Sequence, residues 1–415
     1  MHLAMRFLSV LEHKIVSLGK VAEFKSDKLH LQYASLLHDI GHAPMSHVGE
    51  AFFDKNDIIA KIKSLLNTDD ESTFINGSLH ELMSCYVIAK NFKEILNQIF
   101  KSNEISLDIY YIFRIITGSK YGNIDMWNKN LVIEILNSNS IDVDKIDYLI
   151  RDNFMTGGVA PNINLERLLY SITIDSMKKI AYSSVGISSV VSIIDCRDFL
   201  YLWLYNHHIV VYTDFLYNTA ITHLSNKDND KSKNKILLKN YFSCEAITEE
   251  YVSDDDIRVI LNKEYSNTTS IYSKKILSQL LERKFLKPLW KTIFEFNTFM
   301  YNKEYFDDRE RNGILKLIQN QNLSNVTSEL IEKCELEPGD LFIIKRSNKF
   351  YAMSDKSEFY INSEKDGNIE LKRIMPERRF DENYSNVAFY VFTIPSKIDE
   401  VKQMLVEILK KYLVL

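Results

Sequence analysis

Three imidazoles and a carboxylate crowd ten residues near the start of the chain, in His38-Asp39-Ile40-Gly41-His42-Ala43-Pro44-Met45-Ser46-His47, although the chain has only 10 His in all. Packing alone does not require that density. His38 and His42 are four apart, so on a helix they share a face, with Asp39 beside them. Neutral imidazole and carboxylate are the ligands that suit Zn, Mn or Fe. Gly41 and Ala43-Pro44 let the chain turn, so that His47 can return toward the same pocket. The plain alternative is a helix end with satisfied core histidines; the reading adopted is a metal-centred hydrolytic site.

The rest of the chain has little to interrupt helices, with 12 Gly and 6 Pro in 415 residues. That scarcity predicts a mainly α fold, and the length predicts two to three structural units around a substantial core. A formal charge of −5 argues against a protein that wraps duplex nucleic acid, but leaves room for a local basic pocket. Cys85, Cys196, Cys244 and Cys334 are scattered without a Cys-x-x-Cys pair. Neither a disulfide framework nor a zinc ribbon follows, and reduced thiols in the cytoplasm fit best. No apolar run is long enough to span a bilayer, and no signal peptide is visible.

In order, residues 2–17 read as an amphipathic helix with Leu3, Phe7, Val10, Leu11 and Ile15 on one side. Residues 29–39 read as a second helix ending in the His-Asp pair, and 67–78 as an exposed polar loop. Ser78 and Glu81 have capping-box spacing, which places His80 in the first turn of the next helix. Its dipole favours a neutral imidazole there. In residues 141–152, Lys145, Tyr148 and Asp152 fall on one helical face, while Ile146, Leu149 and Ile150 anchor the helix in the core. Arg197, Tyr201, Tyr205 and His208 form a stripe on one later helix, with Phe199, Leu202 and Trp203 read as core. The fold expected is a multi-helix core with a small C-terminal α+β appendage. Its boundaries are 1–225 for the helical core, 226–235 for a polar loop, 236–335 for a helical extension and 336–415 for the α+β region. Strands are expected at 341–345, 350–353, 358–361, 369–374 and 387–393, then a helix at 398–413 with Val401, Met404, Leu405 and Ile408 on one stripe.

His38-Asp39 followed by Gly41-His42-Ala43-Pro44-x-Ser46-His47 resembles the signature of HD-domain phosphohydrolases. It is most similar to the branch of SAM-and-HD-domain deoxynucleoside triphosphate triphosphohydrolases. Asp142-x-Asp144-Lys145-x-Asp147-Tyr148-x-x-Arg151-Asp152, then Gly157-Gly158-Val159, matches a second string of that family. Arg197 and Tyr205, eight apart, match a third. The resemblance implies a divalent metal (Mn, Mg, Fe or Zn) on His38, Asp39 and Asp144, with His42, His47 and His80 as the catalytic histidines beside it, of which His47 and His80 are equal candidates for the proton donor to the departing sugar oxygen. It implies Lys145 and Arg197 on the phosphates, Tyr148 and Asp152 on the sugar 3′-hydroxyl, and Tyr205 against C2′, where a ribose hydroxyl has no room. The implied reaction releases deoxynucleoside and intact triphosphate. The implied partners are the nucleotide substrate, a nucleotide activator and other copies of the chain in a homodimer or homotetramer, with no membrane.

One part of the family pattern is unmatched. A fourth metal-ligand His normally sits on the preceding helix, in an Arg-Phe-Glu-His-Ser-Leu-Gly type string. Aligned on Leu3-Ala4, that His would fall before Met1, and His2 would lie about 240° round the helix from it. The chain therefore reads as a truncated form of a longer protein or as a weakened relative. Three ligands still hold a metal when water fills the open positions. The competing readings are an HD phosphohydrolase on another nucleotide or on single-stranded nucleic acid, and a catalytically impaired nucleotide-binding module.

Overall fold

Helix starts are dictated locally by side chains that accept from orphaned backbone N–H groups. In the computed structural model, which describes residues 1–17, 24–68, 70–158, 160–226, 241–320, 323–345, 360–363, 367–370 and 389–414, Asp54, Asp108, Asp142 and Asn164 each cap a helix in this way. Ser78 and Glu81 form the expected capping box, with the Ser78 N–H donating to Glu81 Oε2 at 2.7 Å.

The chain divides into two compact units. The first comprises Met1–Leu200, Lys239–Ser253 and Ala352–Phe380. Its early helices are α1 (His2–Ser17), α2 (Lys25–Leu37), the single turn α3 (His47–Glu50), α4 (Lys55–Leu66), α5 (Leu79–Val87) and α6 (Lys93–Ser102). They are followed by α7 (Ile109–Thr117), α8 (Trp127–Leu136), α9 (Val143–Met155), α10 (Leu165–Ser171) and α11 (Ile187–Leu200). The centre is α7, in which Ile112, Phe113, Ile115 and Ile116 are all buried. Burying each such side chain contributes about 1.5–3 kcal/mol. Helix α2 packs along α7 and α8. Its buried His30 serves packing, since Nδ1 donates to the Ser26 carbonyl and Nε2 accepts from the Asp108 N–H. Helix α1 turns Ala4, Phe7, Leu8, Leu11 and Ile15 inward, so the buried stripe is rotated from the expected one.

Sequence periodicity missed the hairpin of β1 (Ile172–Ile174) and β2 (Ile180–Ser183). Two strands of the C-terminal region, β5 (Tyr360–Ser363) and β6 (Gly367–Glu370), extend that sheet in the order β1-β2-β5-β6, with β2 and β5 parallel.

The second unit comprises Tyr201–Leu238, Asp254–Tyr351 and Asp381–Leu415. Its sheet has the order β3-β7-β4, from β3 (Lys287–Pro288), β4 (Leu341–Lys345) and β7 (Phe389–Thr393). Trp290 anchors it, donating from Nε1 to the Phe389 carbonyl at 2.6 Å and packing on Phe296 and Phe299. The closing helix, Ile398–Val414, buries Val401, Leu405, Ile408 and Leu409. The mainly α class and small sheets agree with the expectation. The strands expected after residue 340 divide between two sheets. The expected strand at 350–353, most of the polar loop at 226–235, and Val159 lie outside the described residues.

Three local expectations need correction. Ile150 is 40% exposed rather than core, because it falls on the outer side of α9. Trp203 is 39% exposed and stacks on Phe294. The stripe from Arg197 to His208 does not lie on one helix. Helix α11 ends at Leu200, a π-turn spans Tyr201–Tyr205, and a new helix begins at His208. The wider π-turn breaks the 100° spacing, and Asn206 donates from both its N–H and its side-chain amide to the Tyr201 carbonyl.

Candidate functional site

Helix α2 stops one residue before the His-Asp pair: His38 is its C-cap, and Asp39 lies in the turn that follows. His38 Nδ1 donates to the Ser35 carbonyl at 3.2 Å, which aims Nε2 outward. That Nε2 lies 3.2 Å from Asp144 Oδ1 and 3.4 Å from Asp39 Oδ2. Asp144 comes from the first turn of α9, 106 residues on. The three ligand atoms lie within 4.8 Å of one another.

These residues suit a divalent cation. Two donors each about 2.1 Å from one ion sit roughly 3.0–3.5 Å apart, depending on the angle between them. The observed spacings fall in that range, and both carboxylates are about half exposed. Burial by itself would lower the pKa of His38, but the bond to Asp144 and the charges of Asp39 and Asp144 raise it. The position that attracts a proton between these groups also attracts a cation.

After Pro44 the backbone turns sharply through two left-handed residues, Met45 at φ 62° and Ser46 at φ 51°. Together they reverse the chain so that α3 starts at His47. Helix α3 presents Glu50, a buried carboxylate that the sequence reading overlooked. Three histidines converge on it: His42 Nδ1 at 2.7 Å, His47 Nδ1 at 3.0 Å and His80 Nδ1 at 3.1 Å. His42 and His80 stack with ring centroids 4.3 Å apart. The three imidazoles and Glu50 form a second group of possible ligands.

His42 joins the two groups, since its Nε2 lies 3.5 Å from Asp39 Oδ1. Hydrogen bonds to Asp39 and Glu50 raise its pKa to about 9. Burial would raise the Glu50 carboxyl, but the surrounding imidazoles hold it far below the ordinary range. Asp39 follows the same pattern, with burial overcome by the bond to His42 and by the charge of His38.

Lys145 pairs through Nζ with Asp142 Oδ2 and donates to the Ser138 carbonyl at 2.7 Å, so its ammonium helps to hold the start of α9. Tyr148 and Asp152 lie half-buried along α9, and Arg151 Nε lies 3.6 Å from Asp152 Oδ1. Arg197 is in the last turn of α11, which packs on α9 where the Cys196 thiol meets the Leu149 carbonyl. Tyr205 belongs to the second unit, its ring edge-on to Tyr201 at 5.0 Å. His2 is exposed at the start of α1. A polar cleft of about 600 Å³, lined in part by Thr117, Lys120, Glu134, Asn137 and Lys179, includes none of the candidate residues.

No protein-family model matches the chain. An HD domain-containing protein of Acanthamoeba polyphaga mimivirus is 29% identical over 195 residues, 46% of this chain and 36% of that protein. A protein of Dictyostelium discoideum named as a homolog of the deoxynucleoside triphosphate triphosphohydrolase SAMHD1 is 28% identical over 200 residues, 46% of this chain and 33% of its own length. The SAMHD1 of Bos taurus is 23% identical over 414 residues, covering 90% of this chain and 62% of that protein. The matched part thus spans about a third of the first two relatives. A solved structure of a phosphohydrolase from Bacteroides thetaiotaomicron shares the fold, with a TM-score of 0.56, 17% identity, and coverage of 94% of this chain and 84% of that one.

Proposed function

We propose, from the premise that this chain belongs to the HD-domain, deoxynucleoside triphosphate triphosphohydrolase-like family, that it hydrolyses deoxynucleoside triphosphates to deoxynucleoside and triphosphate. The observation that carries the reading is the meeting of His38, Asp39 and Asp144 beside three histidines gathered on Glu50. The names of the Dictyostelium and bovine relatives support the substrate class.

His38, Asp39 and Asp144 are the residues that would hold the metal. A divalent cation supplies Lewis acidity there, neutralising charge on phosphate oxygens and making water a stronger acid. In the reaction, water oxygen forms a bond to the α-phosphorus, and the bond from that phosphorus to the sugar 5′-oxygen breaks. The departing oxygen needs a proton. His47 is suited to give it: its side chain is 75% exposed, and Glu50 engages its Nδ1, so Nε2 is the nitrogen left for the substrate. His42 and His80 are held on the same carboxylate and fix its position beneath His47. Arg197 and Lys145 are assigned to the triphosphate, and Lys145 must exchange Asp142 for phosphate to serve there. Tyr148 and Asp152 are assigned to the 3′-hydroxyl, and Tyr205 to the face of the sugar that lacks a 2′-hydroxyl. A homodimer or homotetramer with a nucleotide activator belongs to the same proposal.

The test is incubation with Mn²⁺ or Mg²⁺ and each deoxy- and ribonucleotide in ¹⁸O-water. Triphosphate carrying the label, with unlabelled deoxynucleoside, is the expected product pair. Monophosphate or pyrophosphate would instead establish an HD phosphohydrolase of another specificity, and cleavage of single-stranded nucleic acid a nuclease. Binding without turnover at saturating metal would leave a nucleotide-binding module.

A further inference from the structure

Helix α5 carries His80 in its first turn and Ser84 one turn later, so the two side chains share a face. Ser84 is fully buried. Its hydroxyl donates to the His38 carbonyl at 2.6 Å and accepts from the Gly41 N–H at 2.9 Å. These groups flank Asp39 and Ile40, so one hydroxyl closes the turn that presents Asp39. The His38 carbonyl is among those a helix end leaves without an intrahelical partner, and Ser84 supplies one.

The turn also lies directly on the backbone of α5. A Cβ on Gly41 would come within 2.1 Å of the Ser84 nitrogen and 2.7 Å of the His80 carbonyl oxygen. Glycine is required there by close approach of two backbones, since Gly41 is not among the residues with positive φ. The contact therefore has two halves: a missing side chain that lets the turn touch the helix, and a hydroxyl that fastens it.

We propose that Ser84 is a positioning residue, fixing the His38-Asp39 turn against the helix that presents His80 and so setting the spacing of the metal ligands from the catalytic histidines. Ser84 itself touches neither metal nor substrate. This inference rests on the metal-dependent reading above.

The experiment compares the wild-type chain with Ser84→Ala, Ser84→Thr and Cys85→Ala by Mn²⁺ titration followed by EPR, by kcat and KM at saturating Mn²⁺, and by Tm. Cys85 is a fully buried neighbour on α5 and serves as a control for loss of packing. Removing a group that supports metal ligands typically costs about 10–100-fold in affinity or activity. Ser84→Ala is expected to weaken Mn²⁺ at least about tenfold and to lower kcat with KM little changed. Ser84→Thr, which keeps the hydroxyl, is expected to restore most of both, and Cys85→Ala to lower Tm alone. If Ser84→Ala lowers Tm as Cys85→Ala does while Mn²⁺ affinity and kcat stay at wild-type values, Ser84 only packs and the inference is overturned. Wild-type protein that binds no Mn²⁺ overturns the metal reading itself, a separate result from failure of the variant.

Discussion

The His38–Asp39–Asp144 group and the Glu50 group are made of the same kinds of atoms but are held together differently. In the first, the approaches from His38 are 3.2 and 3.4 Å, and both carboxylates are about half exposed. In the second, three imidazoles sit 2.7–3.1 Å from one carboxylate that is buried. Donors left loose and facing solvent can close on a cation. Donors already saturated by one another hold protons and orient rings. Similar residue types thus differ in spacing and burial, with His42 touching both groups.

The largest effect expected is from Asp144→Ala. It should abolish tight Mn²⁺ binding and reduce turnover by at least about a hundredfold, since even supporting groups behind a metal ligand cost up to that much. Titration and rate measurements check this, and retained Mn²⁺ affinity would mean the first group is not the metal site. Next, Glu50→Gln should cut kcat by about a hundredfold, in the range of lost acid–base catalysis, with Mn²⁺ affinity little altered. A variant that loses metal as fully as Asp144→Ala would show that the two groups act as one centre.

A third test uses pH. His42 keeps its proton up to about pH 9 in the fold, whereas in the unfolded chain it gives it up near 6.5. Its stabilisation is complete below 6.5 and lost as pH rises through about 9. The Glu50 carboxyl, held far below 4.5, keeps its contribution across this window and loses it only in acid. Melting of the metal-free protein should therefore shift downward by a few degrees from pH 7 to 9, and less in His42→Gln. An equal shift in both would separate His42 from that stability. The smallest effect expected is at Tyr205: Tyr205→Ala should narrow the preference for deoxy- over ribonucleotides by about tenfold, read as a ratio of kcat/KM values.

The features legible in the sequence were those with local causes. The capping box at Ser78 and Glu81, the end of α2 at the His-Asp pair and the turn returning His47 all follow from residues a few positions apart. Glu50 escaped notice because Val48-Gly49-Glu50 has no motif of its own; its i, i+3 relation to His47 matters only once His42 and His80 arrive from elsewhere. Lys145 looked like a free cation on a helix face, and only the fold shows Asp142 and the Ser138 carbonyl at its ammonium. The π-turn at Tyr201–Tyr205 spoiled a stripe that assumed uniform helical spacing. The β1–β2 hairpin was missed because strands of 3 and 4 residues give too short an alternation to read.

The parallel pairing of Tyr182 with Ile361 joins segments far apart in the chain. During synthesis at about 5–20 residues per second, β2 is complete about 10–35 s before its partner is made. Throughout that interval one border of the sheet has backbone groups open to any extended peptide nearby. Strand β5 thus both extends the sheet and covers a border of β2 that would otherwise offer unpaired backbone groups.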